Sequence, residues 1–312
     1  MTTIQQSIDE FIFHCQYEKN LSTKTLKAYK IDLKQFLEYK NVEELSIENV
    51  DKDILKSYIQ HLFEKSLKEK TIKRKLATLK AFFNNLEFDE QIVVNPFRKI
   101  RVSIKEPKRL PKTLSLREVK KLLTYMYKIK NSMSTNRYAY KAIVRDVLIL
   151  ELLFATGMRV SEVSNLQLSD IDTRTNIIKI IGKGDKERNI HICDSEIKSL
   201  LKEYLSLFEH STNNKIFLFI NRLNEQISEQ SIRFMIKKYQ KLAGIEKHIT
   251  PHMFRHSFAT MLLEEGVDIR YIQHLLGHSS IATTQIYTQV NLKQQKKIIT
   301  TKHPRRNLQF QE

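Results

Sequence analysis

Thr250-Pro251-His252-Met253-Phe254-Arg255-His256-Ser257-Phe258-Ala259-Thr260, followed downstream by Leu275-Leu276-Gly277-His278 and then Tyr287, is the stretch that decides the reading of this chain. Thr250-Pro251 is a helix start, with Thr as N-cap and Pro in the first turn. His252 and Arg255 then lie three apart on one face of that turn, where the free backbone N–H groups favour an anion. Upstream, Thr156-Gly157-Met158-Arg159 follows an apolar run and opens Arg159-Val160-Ser161-Glu162. Two arginines, two histidines and a tyrosine at these spacings suit phosphoryl transfer to a protein hydroxyl. Each phosphate oxygen that gains charge needs a fixed cation or donor, and the attacking atom must lie in line with the leaving oxygen.

Individual residues fit that chemistry. Arg159 presents a planar fork to a non-bridging phosphate oxygen, and Glu162, three residues on, orients the guanidinium. Gly157 permits the close approach that places Arg159 beside DNA. Lys183 sits in the turn Gly182-Lys183-Gly184, from which a lysine on a β-tongue reaches into a groove and protonates a leaving oxygen. Lys186 and Arg188 are the rival cations, and the sequence does not choose among the three. The phenol of Tyr287, with an ordinary pKa near ~10, needs the arginines and a histidine to become a nucleophile. His252 and His256 are four apart on a helix. No third ligand, His-Glu-x-x-His pattern or Cys pair accompanies them, so no metal site is expected.

Composition points the same way. The chain has 312 residues, 41% of them hydrophobic, with only 6 Gly and 5 Pro, and suits two mainly helical domains. A formal net charge of +18 most often meets a polyanion, nucleic acid first. Cys15 and Cys193 lie far apart and are expected to fill apolar positions. With no signal peptide and no membrane-length apolar run, a cytoplasmic protein is expected.

Residues 4–89 read as four amphipathic helices. Ile4, Ile8, Phe11, Ile12 and Cys15 form the first stripe; Leu26, Tyr29, Leu33, Phe36 and Leu37 form the second, capped at Ser22 or Thr23. The fourth helix carries Lys68, Lys70, Lys73, Arg74, Lys75 and Lys80, a cationic face suited to a phosphate backbone. Lys70, Lys73, Arg74 and Lys80 are the candidate DNA contacts here, joined by Lys186 and Arg188 from the hairpin. Three divisions follow: 1–95 as a helical DNA-binding domain, 96–112 as a basic extended linker, and 113–312 as the catalytic domain. In the last, Ser115 to Glu118 form a capping box, a helix runs to about Lys128, and residues 130–136 read as a loop. Residues 142–155 make a central apolar helix. Residues 176–181 and 188–192 make a β-hairpin, and 216–220 a third strand. Helices return at 228–242, 251–264, 269–275, 281–287 and 291–299.

Taken together, Ala155 to Glu162, Gly182 to Arg188, Thr250 to Thr260, Leu275 to His278 and Tyr287 resemble, in order and flanks, the boxes of the tyrosine recombinases, the phage integrase family. Leu21-Ser22 with Thr25, Leu26, Tyr29, Asp32, Leu33 and Phe36 is similar to the SAM-like core-binding domain of the compact Xer-type members, and His303-Pro304-Arg305-Arg306 resembles their tails. No arm-binding domain like that of lambda-type integrases is seen. The resemblance implies an α+β catalytic domain behind a SAM-like helical bundle, the two forming a C-shaped DNA clamp. It implies that Arg159, His252, Arg255 and His278 surround the scissile phosphate. Lys183 is then the general acid for the 5′-hydroxyl, and Tyr287 forms a 3′-phosphotyrosine, with no cofactor. Partners are double-stranded DNA with paired half-sites, in a homo-tetramer or a hetero-tetramer with a related recombinase, and no membrane. The implied activity is site-specific recombination through a Holliday junction, either Xer-like resolution of chromosome or plasmid dimers or mobile-element integration, excision or inversion. The segment from Tyr125 to Tyr140 is longer than in Xer-type members and leaves the second option open. A type IB topoisomerase-like nicking-closing enzyme shares the chemistry as a monomer. A non-catalytic DNA-binding protein is the rival from another class, against which the complete Arg/Lys/His/Arg/His/Tyr set argues.

Overall fold

In the computed structural model, which describes residues 3–105, 111–135, 138–182, 187–212 and 216–277, the chain divides into two units, Met1–Lys108 and Arg109–Glu312. Among its described residues the first holds four α-helices: α1 (Ile4–Phe13), α2 (Thr23–Leu37), α3 (Lys52–Glu64) and α4 (Glu69–Phe88). Local chemistry starts each of the first three. Thr3 and Gln6 form a reciprocal capping box, Ser22 accepts from the Thr25 amide, and Asp51 accepts from the amides of Asp53 and Ile54. The predicted stripes meet in one core, in which Ile4, Phe11, Leu33, Phe36, Tyr58, Phe82 and Phe83 are nearly fully buried.

A buried carboxylate lies within this core. Asp32 accepts from Lys75 Nζ at 3.1 Å and Thr78 Oγ1 at 3.0 Å, and it pairs with Arg74. Lys75, expected on the cationic face, is instead buried, because it projects inward to neutralise Asp32 and to bond Gln35. Lys70, Lys73, Arg74 and Lys80 are exposed along α4, with Arg74 tethered to Asp32. The sequence reading ends this unit at residue 95, but its packing runs further. Phe97 and Ile100 are buried, Phe97 meets the Phe83 ring at 5.8 Å, and Val102 and Ile104 lie against the same core.

The second unit is built around α6 (Tyr138–Thr156), whose residues Val144, Val147, Leu148, Leu150 and Leu152 have no exposed surface. Around it lie α5 (Leu116–Ser132), α7 (Val160–Asn165), α8 (Ser195–Thr212), α9 (Glu229–Leu242), α10 (Pro251–Glu264) and α11 (Ile269–Leu276). The Ser115/Glu118 capping box opens α5 as expected. The polar run after Lys128 continues α5 to Ser132, and α6 begins at Tyr138, earlier than its apolar pattern indicates, so much of the long Tyr125–Tyr140 segment is helix. The helix α8 went unread in the sequence.

The sheet is antiparallel in the order β1 (Ile171–Asp172), β2 (Ile177–Ile181), β3 (Glu187–His191), with Ile178 opposite both Ile171 and Ile190. The hairpin is as read, but the third strand is β1. Residues 216–220 make only single bridges, Gln167 to Phe217 and Ile220 to Gln226. Cys15 is buried as expected; Cys193 is exposed, a correction to the reading that it fills an apolar position. No described helix is long and apolar enough to cross a membrane.

Asp32→Ala strands the Lys75 ammonium in the core. It is expected to destabilise the first unit by about 3–5 kcal/mol, read from the urea unfolding of the chain. A loss under about 1 kcal/mol would mean that the Asp32 pairs behave like exposed ones.

Candidate active site

The turn after α6 is shaped by Thr156 and Gly157. The Thr156 hydroxyl donates back to Leu152 O at 2.5 Å and accepts from the Met158 amide at 3.3 Å, closing the helix end. Gly157 has φ +62°, and a Cβ there would lie 2.6 Å from Phe258 Cδ1 and 2.9 Å from Leu276 Cδ2. The glycine therefore meets two needs, a left-handed backbone and close packing of α10 and α11. Arg159 follows as the residue before α7. Its Nη1 donates to Glu162 Oε1 at 2.7 Å and its amide to Glu162 Oε2 at 2.7 Å, the pairing expected from the sequence. Its Nη2 reaches Gly277 O at 3.3 Å, and its side chain keeps 31% exposure.

Arg255 lies on α10 and is only 3% exposed. Its Nη1 donates to Gly157 O at 2.8 Å and its Nη2 to Leu276 O at 2.5 Å, so two carbonyls from two segments fix the plane of the guanidinium. Thr250, expected to cap α10 with its hydroxyl, makes no side-chain capping bond, whereas Pro251 opens the helix as read.

His252 sits in the first turn of α10 and is exposed. Its pKa lies below the ordinary 6.5, by desolvation first and then by the charges of Arg255, Arg233 and Arg159, with Glu229 opposing. His252 keeps open surface, and the charges of three arginines act on it. They also place Arg159, Arg255 and His252 in one electrostatic neighbourhood, together with Arg233 of α9, which the sequence reading missed. Arg233 donates to Glu229 at 2.7 Å. His256 is lowered too, by burial, then His252, then Arg255. Both histidines bind a proton less readily folded than unfolded. Their contribution to stability is therefore present above about pH 6.5 and is lost as the pH falls through their folded pKa values.

Arg188 departs from expectation. As a candidate DNA contact it belongs on an exposed face, yet it is 6% exposed. Its guanidinium donates from Nη1 to Glu162 Oε1 at 3.0 Å and from Nη2 to Glu162 Oε2 at 2.7 Å, while its Nε donates to Leu275 O at 2.9 Å. The alternation along β3 explains this, because Arg188 shares the inward face with Ile190. Burial pushes the Glu162 carboxyl up, but the hydrogen bonds and charge of Arg188, with the Arg159 amide and charge, hold it below the usual carboxylate value. Lys183, Lys186, His278 and Tyr287, the helices read at 281–287 and 291–299, and the tail all lie outside the described residues. The chain enters His278 directly from Gly277, the left-handed C-cap of α11.

Comparison with known proteins identifies the family. Residues 112–294 match the phage integrase family, and residues 8–88 match the phage integrase N-terminal SAM-like domain. The chain belongs to the phage integrase family and is a tyrosine recombinase, an enzyme that cleaves and rejoins DNA. A tyrosine recombinase of Agathobacter rectalis is 44% identical over 311 residues, covering 99% of this chain and 100% of that protein. Tyrosine recombinase XerC of Thermodesulfovibrio yellowstonii is 37% identical, covering 97% and 98%. The crystal structure of XerH recombinase in a post-cleavage complex with a palindromic difH substrate has a TM-score of 0.74 at 27% identity, covering 94% of this chain and 84% of that one. The expected fold class, a SAM-like bundle followed by an integrase catalytic domain, is borne out.

The His252 imidazole is expected to titrate below 6.5 in the DNA-free protein. Arg233→Gln moves the midpoint up and Glu229→Gln moves it down, as followed by NMR of ring-labelled histidine. A midpoint at or above the ordinary value, or shifts of the opposite sign, would contradict the cationic neighbourhood described.

Proposed function

We propose that this chain is a site-specific recombinase of the Xer type, resolving DNA dimers in the cytoplasm by strand exchange through a 3′-phosphotyrosine. The observation that carries the reading is the convergence of Arg159, His252 and Arg255 beside the α11 terminus that runs into His278, with Tyr287 nine residues beyond it. End-to-end similarity to proteins named XerC and XerD supports the Xer assignment over a mobile-element integrase. The long Tyr125–Tyr140 segment extends two helices over most of its length.

In this reading the Tyr287 oxygen attacks the scissile phosphorus. A P–O bond to tyrosine forms as the bond to the 5′ oxygen breaks. Arg159 and Arg255 hold the non-bridging oxygens, where negative charge grows, in positions fixed before substrate arrives. His252, biased to its neutral form, accepts the phenolic proton, and His278 donates to the phosphate. Lys183 protonates the departing 5′ oxygen. A 5′-hydroxyl of the partner strand then reverses the step, and two such rounds pass through a Holliday junction. The phosphoester is conserved throughout, so the reaction draws on no cofactor. The exposed cations Lys70, Lys73, Arg74 and Lys80 follow the backbone of a half-site, and Lys186 contacts DNA from the hairpin turn. Four subunits, identical or shared with a related recombinase, join two duplexes.

On a nicked suicide substrate the wild-type chain is expected to accumulate a covalent DNA adduct. Tyr287→Phe abolishes the adduct while half-site binding in a gel shift stays within about threefold, because the ring is retained and only the nucleophile is lost. An adduct formed by the Phe variant would remove Tyr287 from this role. Relaxation of supercoiled DNA lacking paired sites would favour a nicking-closing enzyme.

A further inference from the structure

Three consecutive carbonyls at the end of α11 each accept from a different arginine: Leu275 from Arg188, Leu276 from Arg255 and Gly277 from Arg159. Two of these arginines have roles in the proposed reaction. The third, Arg188, is buried, and neither the family match nor the reaction scheme gives it a task. Among the described residues its ionic partner is Glu162, which is also the partner of Arg159.

Among the described residues, four hydrogen bonds on Glu162 are divided evenly. Oε1 accepts from Arg159 Nη1 and Arg188 Nη1, and Oε2 accepts from the Arg159 amide and Arg188 Nη2. That fills the roughly four lone-pair sites of a carboxylate. The charges sum to two guanidiniums against one carboxylate, so the Arg159–Glu162–Arg188 cluster keeps one net positive charge. Without Arg188 the sum is zero, and Arg159 becomes half of an ordinary ion pair.

Resting on the recombinase reading above, we propose that Arg188 is a positioning residue for DNA cleavage: by neutralising Glu162 it frees the charge of Arg159 for the scissile phosphate, while Glu162 still sets the Arg159 plane. The same side chain anchors the segment leading into His278. Its Nε bond to Leu275 O ties β3 to the end of α11, and its guanidinium lies against Gly277, where an added Cβ would come within 3.0 Å of Nη1. One buried group thus links the hairpin strand, the Arg159 turn and the helix that precedes His278. A carboxylate that fixes an arginine also draws on its charge, and a second arginine behind it removes that penalty without moving the first.

The test compares rates of covalent adduct formation at saturating nicked substrate, with thermal unfolding and half-site binding measured alongside. Arg188→Gln is expected to slow the adduct by about a hundredfold, the loss typical of weakening one charge-stabilising donor. Arg188→Lys, which keeps the charge without the fork, stays within about tenfold of wild type. Adding Glu162→Gln to Arg188→Gln restores the net positive charge and recovers the rate to within about tenfold. A purely structural role for Arg188 gives no such rescue, because the double variant has lost still more hydrogen bonds. A double variant no faster than Arg188→Gln, or an Arg188→Gln variant that cleaves like wild type, would overturn the proposal. Should Arg188→Gln melt below the assay temperature, the double variant and Arg188→Lys decide alone: a hundredfold loss in either refutes it. Absence of any adduct from the wild-type chain would instead refute the phosphotyrosine reading, so the two failures are distinct.

Discussion

Arginine against the open end of a helix is the interaction on which the second unit depends. The last carbonyls of an α-helix have no partner within the helix and carry partial negative charge. In α11 three of them are met by side chains from β3, the α6–α7 turn and α10. Burying guanidiniums is costly unless their donors find acceptors. The helix end supplies acceptors, and Glu162 supplies the counter-charge for two of the three. The result fixes several elements at one point before any substrate arrives, and pre-set donors of this kind are what stabilise developing phosphate charge.

The first unit uses the same logic for a different end. Asp32 is buried within the helical core and orders Arg74, Lys75 and Thr78 around it. One of its cations stays inside and one reaches the surface of α4, beside the exposed Lys70, Lys73 and Lys80. In both units a buried carboxylate holds one cation for packing and steadies another that faces outward. On the proposed function the outward cation meets a phosphate in each case.

Much of this was legible in the sequence. Helical spacing of apolar residues gave the four helices of the first unit and most of those in the second. The flanks of Arg159 and the Thr250–Arg255 run pointed to the residues that converge beside the end of α11, because i, i+3 pairs such as Arg159 and Glu162 are local signals, although the Thr250 cap is not formed. What escaped depends on long-range pairing. Lys75 reads as one more surface lysine until Asp32, 43 residues earlier, is known to face it. Arg188 carried a signal that went unused: in a two-residue alternation it shares its face with Ile190, so an inward arginine in need of a carboxylate was implied. Arg233 is placed near His252 only by tertiary packing, with α9 lying against α5 and α7. Residues 216–220 look like a strand by composition, yet the sheet takes Ile171–Asp172 instead, since composition does not specify a neighbour.

The depressed pKa of His252 joins the structure to the chemistry. Burial first, and then the cationic cluster, disfavours a protonated imidazole; on the proposed function, that leaves the ring able to take a proton from the attacking phenol. The account stands on where the covalent bond forms. The most direct measurement is mass spectrometry of the trapped DNA adduct after nuclease and trypsin digestion, with fragmentation of the peptide spanning residues 271–293. The account predicts a phosphate-linked nucleotide on Tyr287; the same mass on Tyr271, on Ser279 or Ser280, or on a peptide from elsewhere in the chain would contradict it.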